Sequence, residues 1–420
     1  MFQNHARNTV RYFLLIAFSL VFLFFSNDFG MIDVQKTAIV MAAGIDREDD
    51  SFIVTSQIAI PQSSKQGKAA ETVQIVSRGK TVASAFEEIN AKTGWYPKLV
   101  FCNLIILGQK TAEYNVFDAL DFFLRDEYLS DNCYVVTCEG LAKDLLNTTA
   151  LVDPSGSIAI QKVLSSHAER VGTVLPTTLR EFAIGYFSES KSGFLPIVKT
   201  EPQQEQIGSS GSSSGGSQNG SPQEGSSGGN SQQGGSSGGS GQGGQTQQQN
   251  DKPVFSAGET ALFLDGKRVG TLTKEETFAF GVVTNKLRLA AYSVEQAEKT
   301  CTLTIKRNQP KIRFTVAENE RAYLKIEVTL SAGILDYSKA LDLTEISDVG
   351  DVPEGIFAMA EKKLAAQIHR VFEKTQKTGC DLFGVKERLE KYEKRHFYAI
   401  QDTALQGAIV EVNVRFRNIR

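Results

Sequence analysis

Few side chains in this sequence have a type and spacing that could carry chemistry. Three histidines lie beyond the first ten residues, at His167, His369 and His396, and none has the H-E-x-x-H spacing of a zinc site. Adjacent carboxylates such as Asp126 and Glu127 could be combined into a glycosidase pair, but sequence does not fix the carboxyl separation which that reaction requires. We therefore expect no catalytic, cofactor-binding or metal site, and no enzymatic activity.

Motifs for nucleotide binding and nucleophilic catalysis are also missing from the sequence. There is no G-x-x-x-x-G-K-[ST] phosphate loop and no G-x-G-x-x-G after a predicted strand. Residues 211–215 match G-x-S-x-G, but they lie in a low-complexity segment without the strand and helix that a nucleophile elbow needs. Asp46, Glu48, Asp49 and Asp50 lack the spacing of a calcium loop, so we expect them in a solvated hairpin turn.

The cysteines indicate buried thiols rather than a disulfide framework. They are five in number, which is odd, and no pair has C-x-x-C spacing. Cys133 and Cys138 bound a strand-like stretch, where residues five apart face opposite sides about 17 Å apart at roughly 3.3 Å per residue, too far to bridge. We expect most of the five to be small buried residues. They are Cys102, Cys133, Cys138, Cys301 and Cys380.

Length and charge indicate two folded blocks and argue against nucleic-acid binding. The chain has 420 residues, with 45 basic and 48 acidic side chains and a net charge of −3, too balanced for a protein that neutralises phosphates. Residues 201–250 contain 15 Gly, 13 Ser and 12 Gln, a composition that cannot bury enough apolar surface to fold. The predicted division is 1–30 cytoplasmic tip and anchor, 31–200 first domain or domains, 201–252 disordered linker and 253–420 second domain.

The amino terminus has the pattern of an export signal. Arg7 and Arg11 precede an apolar run of fourteen residues, so the start is expected in the cytoplasm and the bulk of the chain outside. As a helix the run would be about 21 Å long, whereas the hydrocarbon core of a bilayer is roughly 30 Å thick. The length of the run is therefore closer to that of a cleavable signal peptide. Bulky Phe24 and Phe25 fit signal peptidase poorly, so an uncleaved anchor is favoured and cleavage stays the alternative. The predicted anchor residues are Tyr12, Phe13, Leu14, Leu15, Ile16, Phe18, Leu20, Val21, Phe22, Leu23, Phe24 and Phe25.

In the first block, apolar runs alternate with helical patterns. The predicted strands are 37–44, 51–60, 72–77, 100–107 and 134–138. The predicted helices are 117–128, 141–146, most of 155–187, and one that carries Val82, Phe86 and Ile89. This alternation indicates a mixed α/β or α+β block, and the order of the elements does not choose between them.

The second block is predicted to be an antiparallel sheet covered by a long helix. It opens with a hairpin whose turn is Asp265-Gly266, and alternation predicts strands at 302–306, 312–316, 324–330 and around 410–417. A helix over 353–378 has one apolar face. That face carries Phe357, Ala360, Leu364, Ile368 and Val371. The whole chain is therefore predicted to be α+β, in two or three domains joined by the linker.

Ordered short motifs resemble the Ger(x)C family of spore germination proteins. In the first half these are Ala38-Ile39-Val40, Gly44-Ile45-Asp46, Ser77-Arg78-Gly79-Lys80-Thr81, Leu124-Arg125-Asp126, Thr178-Leu179-Arg180-Glu181-Phe182 and Leu195-Pro196-Ile197. In the second half they are Gly258, Ala261-Leu262-Phe263, Lys267, Val269-Gly270, Leu272, Glu276-Thr277 and Asp381-Leu382-Phe383-Gly384. We interpret the matching residues as fold markers, without a ligand-binding role. The markers are Gly44, Asp46, Arg125, Gly258, Phe263, Gly270, Glu276, Asp381 and Gly384.

The resemblance implies the C subunit of a nutrient germinant receptor on the outer face of the spore inner membrane. Its implied partners are a multi-pass, transporter-like B-type subunit and an A-type subunit, with no enzymatic role, no cofactor and no nucleic acid. Family members usually carry a lipid-bearing Cys before the first strand. Here residues 26–33 contain no Cys, so a peptide anchor is expected to replace the lipid. The alternative is a surface-anchored ligand-binding protein unrelated to spores.

Overall fold

The computed structural model describes most of both predicted blocks. Four predicted anchor residues, Phe22–Phe25, and the predicted linker beyond Glu201 lie outside the described residues. The described ranges are 11–21, 37–59, 72–149, 153, 155–167, 172–201, 253–287, 289–296, 299–317, 320–337 and 352–419.

Within these ranges the chain forms two sheets and a set of covering helices. The strands are β1 (Thr37–Glu48), β2 (Ser51–Ala59), β3 (Thr72–Gly79), β4 (Tyr96–Lys98), β5 (Leu104–Leu107), β6 (Tyr134–Cys138), β7 (Ser192–Glu201), β8 (Val254–Leu264), β9 (Lys267–Leu272), β10 (Ala290–Gln296), β11 (Lys299–Val316), β12 (Ala322–Tyr337) and β13 (Ile409–Asn418). The helices are α1 (Val82–Thr93), α2 (Gln109–Glu113), α3 (Phe117–Arg125), α4 (Ala142–Asn147), α5 (Gly156–Lys162), α6 (Leu179–Phe187), α7 (Lys274–Val283), α8 (Glu354–Thr378), α9 (Val385–Tyr392) and α10 (Lys394–Ile400). A π-helical turn, Val163–His167, continues α5, and residues 11–21 are also helical.

The first sheet is mixed, as an α/β block requires. Its order is β3-β2-β1-β5-β6-β7-β8-β9, and β4 also pairs with β1. β1, β5, β6 and β7 run parallel in the middle, while antiparallel strands flank them on both sides. Parallel strands covered on both faces need continuous apolar runs, and every residue of β5 is buried. The mixed α/β prediction is confirmed.

The chain returns to the first sheet after the low-complexity segment. β8 and β9 follow that segment in sequence, yet β8 pairs antiparallel with β7, with Leu195 opposite Ala261. Glu201, the last residue of β7, is the register partner of Val254, the first of β8. Residues 202–253 therefore connect two paired strand ends and do not span a distance between two separate bodies.

The second sheet has the order β10-β11-β12-β13 and is covered by α8. Its first three strands are antiparallel, but β13 runs parallel to β12, which corrects the fully antiparallel expectation. The strands predicted at 302–306 and 312–316 form one continuous β11. The predicted apolar face of α8 is buried from Phe357 to Val371, and its residues share one core with Leu262 and Leu272 of the first sheet.

Several predicted boundaries in the first block were wrong for local reasons. The predicted strand 100–107 is shortened to Leu104–Leu107, because a turn closed by the Cys102 N–H and the Leu99 carbonyl precedes it. α3 ends at Arg125 instead of 128, since the Asp126 carboxylate accepts hydrogen bonds from the backbone N–H groups of Tyr128 and Leu129. Most of 155–187 was predicted to be helical, but residues 172–177 are not. β4, α2 and β7 of this block were not predicted, nor were α7, β10, α9 and α10 later in the chain.

Residues 11–21 carry the described part of the predicted anchor. The large apolar side chains there are at least half exposed, from Val21 at 52% to Phe18 at 71%. Among the described residues, no helix is both long and apolar enough to cross a membrane.

Candidate functional site: the junction between the two sheets

The Gly44-Ile45-Asp46 motif holds α4 against the first sheet. A Cβ on Gly44 would lie 3.0–3.1 Å from Leu146 and Ala142 of that helix, so only glycine allows this close approach without a shift. Asp46 is buried, which corrects its assignment to a solvated turn. Its two carboxylate oxygens accept hydrogen bonds from the backbone N–H groups of Ala142 and Lys143, at 2.8 and 3.0 Å.

Burial disfavours the charged form of Asp46, and the buried carboxylate requires glycine at position 108. Burial raises the pKa of Asp46, and the two backbone N–H donors act against that rise. A Cβ on Gly108 would lie 2.0 Å from Asp46 Oδ1, a distance no real side chain tolerates. The carboxylate therefore occupies space that only a glycine leaves open. Its contacts are those of a helix cap, and both of its oxygens are used.

Markers of the second half lie at the junction between the sheets, which we define as β7, β8 and β9 with α7, α8 and α9. Phe263 is buried in β8 and packs edge-on against Phe182, with ring centroids 5.3 Å apart. Gly258 in β8 faces the Lys274 side chain, where a Cβ would lie 2.7 Å from Cγ. Gly270, a residue type that would fit a tight turn, instead lies within β9 and faces Thr378 of α8.

Glu276 joins α7 to α8. Its carboxylate accepts a hydrogen bond from the Thr273 N–H at 2.9 Å, and Thr273 Oγ1 accepts one from the Glu276 N–H, which completes a capping box. The same Glu276 oxygen lies 2.5 Å from Lys374 Nζ, and Lys374 also donates to the Thr271 carbonyl in β9. Glu276 is mostly buried, so its charge is compensated within the junction.

The Asp381-Leu382-Phe383-Gly384 element ties the start of β7 to α9. The backbone N–H of Asp381 donates to Ser192 Oγ at 2.8 Å. Its carboxylate Oδ2 accepts a hydrogen bond from the Lys386 N–H at the start of α9, at 2.8 Å. Gly384 has a φ of 64°, a left-handed conformation that favours glycine. Phe383 is buried between the rings of α7 and α8 residues Phe280 and Phe372.

Two carboxylate oxygens in this element have no hydrogen-bond partner among the described residues. They are Asp381 Oδ1 and Glu387 Oε2, and the other Glu387 oxygen accepts from Ser190 Oγ at 2.5 Å. Burial raises the pKa of Asp381 to about 6, and the Glu387 carboxylate acts in the same direction. The buried Asp381 and the partly buried Glu387 therefore form an acidic pair that favours a proton on Asp381 below neutral pH.

The other ionisable side chains that the sequence analysis considered do not come together in a catalytic or metal site among the described residues. Arg125 is exposed and pairs with Asp121 one helical turn earlier, at 2.7 Å, and this pair raises the pKa of Arg125. His369 is half-buried at the boundary of the apolar face of α8. All five cysteines are buried and free, and burial raises the pKa of Cys138 and Cys380 to about 12, which makes these thiols poor nucleophiles. Within the described ranges, no three His, Cys, Asp or Glu side chains form a group that could hold a metal ion.

A cleft of about 970 Å³ opens at one end of the second sheet. Basic Lys306, Arg307 and Arg417 and acidic Glu354 and Glu361 line it, on β11, β13 and α8. Glu361 is already engaged, since its Oε1 accepts a hydrogen bond from the Phe416 N–H at 2.8 Å. The lining is therefore of mixed charge, and one of its two carboxylates is already used in a contact with the backbone.

Comparison with known proteins identifies the family. The family model described as spore germination protein N-terminal domain matches residues 30–200. The model described as spore germination B3/GerAC like, C-terminal, matches residues 258–420. The chain belongs to the GerAC family of spore germination proteins.

Two relatives extend the comparison. Spore germination protein B3 of Bacillus subtilis (strain 168) is 25% identical over 193 residues, which cover 44% of this chain and 50% of that protein, so the chain spans about half the length of this curated relative. The crystal structure of the GerBC protein is similar with a TM-score of 0.50 and 15% identity, and covers 90% of this chain and 97% of that one. At this identity, the likeness shows that the GerAC family fold is shared, and nothing further.

Sequence reasoning missed the partners of the markers. Ser192, Lys374 and Gly108 complete the contacts of Asp381, Glu276 and Asp46, but none of the three lies beside its partner in sequence. Only the capping box had a local signal, Thr273 followed three residues later by Glu276.

Proposed function

We propose that this chain is the C subunit of a nutrient germinant receptor, held at the membrane by its amino-terminal apolar segment, with both sheets on the outer face. The observation that carries the proposal is the ordered match of both halves to the family, over residues 30–200 and 258–420. In this proposal the protein acts by assembly with A-type and B-type subunits, and it is not an enzyme.

The junction supports a role in assembly. Hydrogen bonds from Asp381 to Ser192 and from Lys374 to Glu276 and Thr271 bind the second sheet and its helices to the first. A subunit that acts through protein contacts needs its surfaces held in a fixed relation, and these buried polar ties hold the two sheets together.

Co-purification tests the proposal. The full chain, with a carboxy-terminal tag, is recovered from detergent-solubilised membranes of the native host, and its intact mass is measured. We expect a multi-pass membrane protein to be recovered with it, and a mass that includes residues 1–30. A matched variant that lacks residues 1–30 should leave the membrane fraction. A lone protein in the soluble fraction, cleaved after the apolar run, would contradict both the assembly and the anchor.

The cleft at the end of the second sheet supports a second candidate, a surface-anchored ligand-binding protein unrelated to spores. Deletion of the gene separates the two proposals. Loss of germination with at least one nutrient supports the receptor subunit. Normal germination with every nutrient tested, in a host without a paralogue, supports the alternative.

A further inference from the structure

A tight turn in the first sheet carries apolar side chains at its tip. The Cys102 N–H donates to the Leu99 carbonyl at 2.8 Å, which places Val100 and Phe101 at the two corner positions. Leu99 and Cys102 are buried, whereas Val100 is 47% and Phe101 57% exposed. Turn corners in soluble proteins are usually Gly, Pro, Asn, Asp or Ser, so two adjacent apolar corners require an explanation.

Aromatic residues surround this turn. Trp95 and Tyr96 are 42% and 43% exposed, and Tyr128 is 59% exposed. Lys98 Nζ lies 4.7 Å from the centroid of the Tyr128 ring, so the two segments are adjacent in space. We call the five residues Trp95, Tyr96, Val100, Phe101 and Tyr128 the apolar edge. Trp and Tyr combine an apolar ring with a polar group, which is the chemistry found where hydrocarbon meets water in a bilayer.

The apolar edge lies on the side of the sheet where the chain arrives from the predicted anchor. Tyr96 is the register partner of Thr37, the first residue of β1. The turn at Val100 and Phe101 precedes β5, and Tyr128 precedes β6. Since β1, β5 and β6 are parallel, all of these segments lie at the amino ends of their strands.

Chain length keeps this edge near the membrane if the anchor is inserted. Phe25, the end of the apolar run, and Thr37 are twelve chain steps apart, with eleven residues between them. Fully extended, these steps reach at most about 43 Å at roughly 3.6 Å per residue. A surface tethered at this distance meets the bilayer at high effective concentration, so a small apolar contact suffices.

We propose that the apolar edge docks on the lipid bilayer, with Val100 and Phe101 inserted below the headgroups and Trp95 and Tyr96 at headgroup level. The proposal rests on the anchor in the proposed function and adds how the first sheet is oriented on the membrane. Tyr128 adjoins the acidic side chains of Asp126 and Glu127, so it flanks the contact and does not insert. Docking removes from water the apolar surface that the isolated chain exposes at this edge, which is favourable.

Trp95 is the only tryptophan in the sequence, so tryptophan emission reports on this edge alone. The full chain is reconstituted into vesicles of phosphatidylcholine and phosphatidylglycerol, with or without lipids brominated near the headgroup end of the acyl chains. We expect brominated lipid to remove roughly half of the Trp95 emission, because the ring lies at the interface. Acrylamide in the water phase should quench it less than it quenches the chain unfolded in urea.

Two variants sharpen the test. Val100→Asp combined with Phe101→Asp places favoured turn residues at both corners, so the fold should persist while quenching by brominated lipid is lost. Tyr398→Asp, at a residue 76% exposed in α10, is the matched control and should keep the quenching. Circular dichroism checks that both variants are folded.

Failure of the docking and failure of the anchor give different results. A chain that does not float with the vesicles contradicts the anchor, and with it the docking. A chain that floats, but whose Trp95 is quenched by acrylamide and not by brominated lipid, overturns the docking and leaves the anchor intact. If Trp95 is shielded from both quenchers, protein covers the edge, and the bilayer proposal is wrong.

Discussion

At the junction between the sheets, carboxylates and hydroxyls are buried, whereas at the apolar edge aromatic side chains lie in solvent. Most of the charge buried at the junction is compensated inside the molecule: Asp381 Oδ2 accepts the Lys386 N–H of α9, and Glu276 is paired with Lys374. No described residue covers Val100 or Phe101 in the same way. The difference teaches that the junction is held together by contacts within one chain, while the edge requires an external surface.

The largest expected difference in the free energy of unfolding is between two Phe→Ala variants, one at the junction and one at the apolar edge. Phe383→Ala removes a buried ring that packs against Phe280 and Phe372, and should lower the free energy of unfolding by about 3–5 kcal/mol. Phe101→Ala removes an exposed ring, and should change it by less than about 0.5 kcal/mol. Urea unfolding of both variants measures the difference, and equal losses would contradict the comparison.

The second effect is a pH dependence that originates at the junction. The pKa of Asp381 is raised from 3.8 to about 6 by burial, so the folded state holds this proton more tightly than the unfolded state does. Its contribution to stability is complete below pH 4 and is lost as the pH rises through 6, by up to about 3 kcal/mol. Unfolding of Asp381→Asn should lack this fall between pH 4 and 6, because the amide does not ionise. A fall of the same size in the variant would assign it to other groups.

The third effect tests the space around Asp46. Gly108→Ala places a Cβ 2.0 Å from Asp46 Oδ1, so either the carboxylate or the strand end must shift, and we expect a loss of about 1–3 kcal/mol. Gly355→Ala is the matched control, since a Cβ there meets nothing within 4 Å in the first turn of α8. The control should be neutral or slightly stabilising, because alanine favours helix more than glycine does. Thermal unfolding of both variants gives the comparison.

The smallest expected effect concerns the low-complexity segment. Because Glu201 and Val254 are register partners, residues 202–253 close a hairpin, and removal of residues 215–240 should change stability by only about 0.6 kcal/mol, in the stabilising direction. Urea unfolding checks this value. A loss of several kcal/mol would mean that the segment makes contacts with the sheets.

Periodic patterns made part of the fold predictable. The apolar face of α8, the alternation in β12 and β13, and the Asp265-Gly266 hairpin turn were all predicted, because each is written in neighbouring residues. Asp265 and Gly266 both have positive φ, as such a turn requires. The parallel direction of β13 was not predicted, since alternation is the same in both directions.

The candidate site was predictable only in part. Resemblance selected Asp381 and Gly384, but nothing near them in sequence indicates Ser192, almost two hundred residues earlier. Asp46 was assigned to a solvated turn because four acids follow one another closely, and local sequence does not show that α4 folds back over the first of them. In the apolar edge, Val100 and Phe101 were predicted in a strand and Tyr128 in a helix, while Trp95 and Tyr96 lay in no predicted element, so the sequence did not indicate that these residues are neighbours.

By itself the sequence determined the strongly periodic strands and helices, the apolar segment, the low-complexity segment and the family, since these depend on composition, short periods and ordered motifs. Only the tertiary structure decided that β8 and β9 complete the first sheet and that the junction buries its acids. It alone brought Trp95, Phe101 and Tyr128 to one edge. The physical reason is that strand pairing and burial bring together residues that are far apart in the chain. The free energy of such contacts depends on both partners, so it cannot be predicted from the pattern of neighbouring residues.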